Sequence, residues 1–349
     1  MTARLGVDLP IIQAPMAGVS TPAMAAAVSN AGALGSIAVG ATNAVGARDM
    51  IAQVRTLTQR PFNVNLFVHA TPIADPVGEA AWINAMSPLF SAFGATPPSG
   101  LRTIYRGLTD DPDMQSVLVD MAPPVVSFHF GLPPAPLVSA LKARGCFLLA
   151  TATNEHEAHA CLTAGIDAIV AQGYEAGGHR GMFNPEVHDE CLSTDTLVRR
   201  LARQFDIPVI AAGGIMDGAG IATALAQGAS AAQLGTAFIA CAESSADEPY
   251  RTALFSQAAA DTHMTSAISG RPARCLANRF TQWGEQQLVR PPCYPIAYDA
   301  GKALNTAAKA QGEHGFGAQW AGQGAPMARS MGAAALIETL ASELARHQR

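Results

Sequence analysis

Eight short apolar runs separated by alanine-rich helical segments, a composition of 49% hydrophobic against 14% charged residues, and glycine turns closing the last two runs predict a (β/α)8 barrel with a smaller helical second domain. Strands covered on both faces read as continuous apolar stretches, which demands a high apolar fraction. The first runs fall at 10–14 and 34–39, and between them Thr21 and Pro22 read as the cap and first-turn proline of a helix. The next strands are expected at 62–68, 125–128 and 146–150. Asn154 caps the helix that follows. A strand at 166–171 and another at 207–212 come next, then Asp217 as the cap of a helix over 218–227, and last the strand at 231–234.

Two regions break this rhythm. Residues 76–124 contain Pro88, Pro97, Pro98, Gly100 and Pro112, and read as a helical excursion between the third and fourth strands of a barrel spanning 1–242. After Cys241 no strand pattern returns, so 243–320 reads as a helical substrate or lid domain. Residues 321–349 read as an amphipathic helix returning to the barrel.

Composition narrows the function. A net charge of −5 with no lysine- or arginine-rich segment supplies no field for nucleic acid, so a small molecule is the expected ligand. No apolar run reaches the ~18 residues of a membrane span. Six scattered cysteines without a C-x-x-C pair are expected to be reduced, and the expected location is the cytoplasm. His156 and His159 do not form an H-E-x-x-H motif, and no metal is expected.

Chemistry points to the strand ends. The strand at 166–171 runs into Gly173-Tyr174-Glu175-Ala176-Gly177-Gly178-His179-Arg180-Gly181, where four glycines permit close approach to the backbone and carry a histidine and an arginine. A flexible loop with solvated side chains is the plain alternative. After the last two strands, Ala212-Gly213-Gly214-Ile215 and Gln233-Leu234-Gly235-Thr236 offer backbone N–H groups with little side-chain bulk, as a phosphate site on a barrel requires. Tyr294, Tyr298 and Lys302 are spaced i, i+4, i+8 and share one face if helical; packed aromatics with a snorkelling lysine would produce the same spacing.

These residues resemble the nitronate monooxygenase family, FMN enzymes on a TIM barrel with a second helical domain. The resemblance covers nearly the whole chain. It rests on Gln13-Ala14-Pro15-Met16-Ala17-Gly18-Val19-Ser20-Thr21-Pro22, Ser29-Asn30-Ala31-Gly32-Ala33-Leu34-Gly35, Asn63-Val64-Asn65-Leu66-Phe67-Val68-His69, Val126-Ser127-Phe128-His129-Phe130-Gly131-Leu132-Pro133 and the glycine-histidine stretch. Ala33, where the family often has glycine, and the single aromatic of 63–67 depart from its pattern.

The resemblance implies FMN contacts at Asn65, Gln172, Gly177, Gly214, Gln233, Leu234, Gly235 and Thr236, with Met16 lining the ring. It implies His179 as the catalytic residue and Tyr294, Tyr298, Lys302, Tyr105 and Tyr250 as substrate-binding; His129, at a strand end, reads as substrate-binding or as a loop anchor, and Arg180 as structural or phosphate-adjacent before catalytic. The implied reaction oxidises alkyl nitronates, above all the toxic dianion propionate 3-nitronate, with dioxygen to a carbonyl compound and nitrite, His179 and Lys302 holding the anion. Its alternatives are an NAD(P)H-dependent FMN reductase of quinones or enoyl thioesters on the same scaffold, and a flavin-binding protein without turnover. The expected assembly is a monomer or homodimer.

Overall fold

The structure, a computed structural model, describes residues 1–347. Its strands are β1 (Ile11–Gln13), β2 (Gly35–Ala38), β3 (Phe62–Phe67), β4 (Val125–His129), β5 (Phe147–Ala152), β6 (Ala168–Gln172), β7 (Gly178–His179), β8 (Val209–Ala212), β9 (Ala231–Leu234), β10 (Thr262–Thr265) and β11 (Ala273–Leu276). Eight of them form one parallel sheet in the order β1-β9-β8-β6-β5-β4-β3-β2. Gln13 N–H donating to Leu34 O and Leu34 N–H to Ile11 O, at 2.9 and 3.0 Å, join its two edges, and the chain is a (β/α)8 barrel.

Local chemistry sets the helix starts. The Thr21, Asn154 and Asp217 side chains accept from the N–H groups of Met24, Glu157 and Gly220, as capping positions should. The barrel lumen is filled by Ile12, Leu34, Leu149, Val170 and Ile210, while a larger apolar layer separates strands from helices. The helix Ala333–His347 buries Leu336, Ile337, Leu340 and Leu344 and packs on the helices Gly218–Ala226 and Pro22–Asn30, completing the outer layer.

Two sequence expectations change. The 76–124 excursion divides: Trp82, Met86 and Phe90 of the helix Pro76–Ala92 join Phe280, Leu304 and Phe316 in a separate core, whereas the helix Pro112–Met121 packs on barrel helices. The region after Cys241 is not purely helical either. β10, β11 and β7 form an antiparallel sheet, in which Ala273 pairs with His179 and Arg274 with Gly178. These strands are too short and too polar to carry an alternating pattern, and one of them lies inside the glycine-rich stretch. Its placement matters, because that sheet stitches His179 to the second domain. No helix among the described residues is long and apolar enough to cross a membrane.

Candidate active site

A cavity of about 420 Å³ opens at the carboxyl ends of the barrel strands, within the range of small-molecule and cofactor sites. Every residue expected to be catalytic, substrate-binding or FMN-binding borders it except Leu234, whose side chain lies in the core with Ile11, Met24 and Phe238. Strand alternation explains the exception: Gln233 and Gly235 face the opening, and Leu234 between them points to the helices.

The floor is shaped by buried amides. Gln13, fully buried at the end of β1, donates through Nε2 to Ser20 Oγ at 2.8 Å and to Ala14 O, and its Oε1 accepts from Ser36 N–H at 2.7 Å. The Ser20 hydroxyl oxygen accepts from Met16 N–H at 2.9 Å, so a glutamine inside an apolar run holds the 14–16 turn. Asn65 Nδ2 donates to Ser127 Oγ at 2.9 Å. Gln172 spends both ends on the loop it precedes: Nε2 donates to His179 O at 3.0 Å and Oε1 accepts from Gly181 N–H at 2.8 Å. Its amide therefore supports the 178–181 turn.

At one end of the cavity, Gly213 and Gly214 lie at φ 132° and 71°, conformations open to glycine. Gly177 lets the 320–324 segment pass over the same loops, since a Cβ there would stand 2.4 Å from Gly322 N. Among the described residues no protein acceptor meets the N–H groups of Gly213, Gly214, Gly235 or Thr236, although all four residues line the cavity. Four free donors with no cation beside them suit a phosphate.

At the other end stands an aromatic cluster. His179 lies 5.0 Å from Trp320, 5.4 Å from Tyr294 and 5.6 Å from Phe130, centroid to centroid. Tyr294 precedes the helix Ile296–Ala310 instead of belonging to it, so only Tyr298 and Lys302 share a helical face. Lys302 Nζ sits 5.1 and 5.2 Å from the rings of Tyr105 and Tyr298. Burial, and after it the neighbouring Tyr298, keeps the Tyr294 hydroxyl protonated, and that hydroxyl has no protein partner among the described residues. Tyr250 donates its hydroxyl to Trp320 O and braces the 320–324 segment.

The enclosure favours the neutral form of His179 and His129. Burial pushes His179 well below its ordinary value, with His129, Arg271 and His69 adding to the effect; burial and Arg271 bring His129 to about 4. An enclosed ring beside a fixed guanidinium does not ionise near neutral pH, so His179 does not hold an anion by charge as the resemblance implied. His129 has both ring nitrogens committed. Nε2 lies 3.2 Å from His179 O, which can only accept, and Nδ1 then accepts from the Thr151 hydroxyl at 3.0 Å. That makes His129 a wall and an anchor. Arg180, 1% exposed, grips Asp189 with Nε and Nη2 at 2.7 and 2.8 Å and the carbonyl oxygen of Gln172 at 2.8 Å, which settles it as a loop clamp.

Three neighbours of His179 were not legible in the sequence. Trp320, Ser269 and Arg271 arrive from the second domain, and no motif marks them. Arg271, 4% exposed, lies 4.2 Å over the Phe130 ring and donates to Met182 O, and among the described residues it meets no carboxylate.

The family model described as Nitronate monooxygenase matches residues 1–343. A nitronate monooxygenase of Paraburkholderia phytofirmans is 58% identical over 97% of this chain and 93% of its own length, and one of Pseudomonas aeruginosa 54% identical over 98% of each. Among solved structures, a nitroalkane oxidase from Streptomyces ansochromogenes superposes with a TM-score of 0.91 at 41% identity, covering 100% of this chain and 99% of that one. FabK from Thermotoga maritima gives 0.76 at 30% identity, over 99% and 95%.

Proposed function

Because the chain belongs to the nitronate monooxygenase family and is therefore an oxidoreductase, we propose that it holds FMN and oxidises alkyl nitronates with dioxygen to a carbonyl compound and nitrite. The observation that carries this reading is the polarity of one cavity: free backbone donors at one end, and a lone ammonium between two tyrosine rings at the other. The donors at Gly213, Gly214, Gly235 and Thr236 would hold the FMN phosphate, and Met16, Asn65 and Gly177 would border its ring. Bound there, FMN supplies the electron acceptor. The residues do the rest. A nitronate arrives already deprotonated, so the protein must attract an anion and orient it. Lys302 supplies the charge, and the Tyr294 hydroxyl supplies a donor held by a packed ring. Aromatic walls from Phe130, Tyr298 and Trp320 exclude water around both.

The favoured substrate is propionate 3-nitronate, whose oxidation removes a toxic compound. Its second negative charge matches Lys302. Lys302→Ala is expected to lower kcat/KM for this dianion roughly tenfold, the equivalent of one charge-assisted contact, and to affect a nitronate lacking the carboxylate much less. Equal losses on the two substrates would remove the role assigned to Lys302. The flavin absorbance of the purified enzyme should respond to anaerobic propionate 3-nitronate and not to NADH; a response to NADH alone would favour a reductase.

A further inference from the structure

Ser269 is completely buried and belongs to the second domain, yet its hydroxyl oxygen lies 2.9 Å from His179 Nε2. A serine hydroxyl has one hydrogen to give. The same oxygen lies 3.2 Å from the carbonyl oxygen of Arg271, which can only accept and which meets no other donor among the described residues. Turning the hydroxyl hydrogen toward the imidazole would leave that carbonyl unpaired in the interior, facing an oxygen lone pair. The hydrogen therefore belongs on Arg271 O, and the Ser269 oxygen must receive one from His179. In a neutral imidazole this puts the only N–H at Nε2 and leaves Nδ1 bare.

We propose that Ser269 is a positioning residue that fixes His179 as the Nε2–H tautomer, so that Nδ1, which has no protein partner among the described residues, presents a lone pair to the substrate. The surroundings support a single locked form. The titratable and charged groups around the ring are His129, His69, Arg271, Tyr294 and Tyr298, and none is a carboxylate that would draw a second proton onto it. Arg271, with its guanidinium over Phe130 and its carbonyl under Ser269, ties the charge that disfavours imidazolium to the contact that selects the tautomer. A lone pair repels an anionic oxygen and accepts from a group that carries hydrogen. Resting on the nitronate reading above, this sends the charged oxygens of the substrate toward Tyr294 and Lys302, away from His179.

The test is the tautomer itself, read by long-range proton–nitrogen correlation on the intact purified enzyme with labelled histidine and no substrate, His179 being assigned by its loss in His179→Gln. The expected wild-type spectrum shows a protonated Nε2 and an unprotonated Nδ1. Ser269→Ala should release the ring to a mixture or to Nδ1–H and lower kcat/KM on a nitronate roughly tenfold, about the worth of one net hydrogen bond. Ser269→Thr, which keeps the hydroxyl, should restore both. Should the alanine variant not fold, Ser269→Cys, similar in volume and a poor acceptor, replaces it. A wild-type ring protonated at Nδ1, or a tautomer indifferent to removal of the hydroxyl, overturns the proposal. Because the spectrum is recorded without substrate, either result leaves the nitronate reading to stand or fall on its own turnover assay.

Discussion

Asp189→Ala is expected to cost about 3–5 kcal/mol of folding stability, measured by denaturant titration, because it strands a cation that the fold has taken out of water. The Arg180 guanidinium is 1% exposed, and Asp189, with a side chain 20% exposed, is its sole carboxylate partner among the described residues. The remaining contacts, to the Gln172 and Gly173 carbonyls, satisfy donors without neutralising charge. Removing both members, as Arg180→Met with Asp189→Ala, should cost less than Asp189→Ala alone, since no unpaired charge is then left inside. The pH dependence has a definite sign. Burial raises the Asp189 carboxyl, but hydrogen bonds from Arg180 and the Cys191 N–H outweigh it and bring the group below its ordinary value. A carboxyl depressed by folding stabilises the native state above its unfolded pKa, and that stabilisation is lost as pH falls through the lower folded value. The acid limb of the stability curve should accordingly be shallower in Asp189→Ala. A loss under about 1 kcal/mol would mean that water reaches the pair and that the clamp is a surface feature.

That clamp shows what sequence can and cannot reveal here. The barrel was legible because most strands are short apolar runs and several helix starts, such as those after Thr21, Asn154 and Asp217, carry their own capping residue, both local properties. The two glycine turns and the 173–181 stretch were legible for the same reason. Arg180 could be doubted but not placed, since its partner Asp189 stands beyond a loop with no periodicity. The second domain resists more strongly. β10 and β11 are four residues each, with Arg274 and His263 among them, and their strand character comes from pairing with each other and with β7. Ser269 and Trp320 reach His179 across about 90 and 140 residues of chain through that pairing, and a single sequence does not encode who meets whom over such distances. The charge state of His179 was hidden for a related reason: a pKa belongs to an enclosure, and the enclosure is built from Phe130, Tyr294, Trp320 and Arg271 together.

The second large effect concerns the free backbone donors at the glycine-lined end of the cavity. On the proposed FMN reading, Gly213→Ala combined with Gly214→Ala is expected to yield folded protein purified without the yellow colour of a flavin, read as the ratio of visible to ultraviolet absorbance. At Gly213 a Cβ would stand 2.6 Å from Thr194 Oγ1 and 3.2 Å from Ala176 N, and at Gly214 it would stand 3.2 Å from Glu175 Cβ. Both residues also hold positive φ, which costs an alanine about 1–2 kcal/mol each. Strain alone would destabilise the protein wherever it were placed, so the decisive comparison is Gly145→Ala. Gly145 has φ 82° and nothing within 4 Å of an added Cβ, and it does not line the cavity. It imposes the positive-φ penalty of one such site without the close contacts and without touching the donors. If the two N–H groups hold a phosphate, the double variant should release the cofactor while Gly145→Ala keeps it. Retention of colour in both would mean that the amides at 213 and 214 are satisfied by water and that the phosphate is held elsewhere.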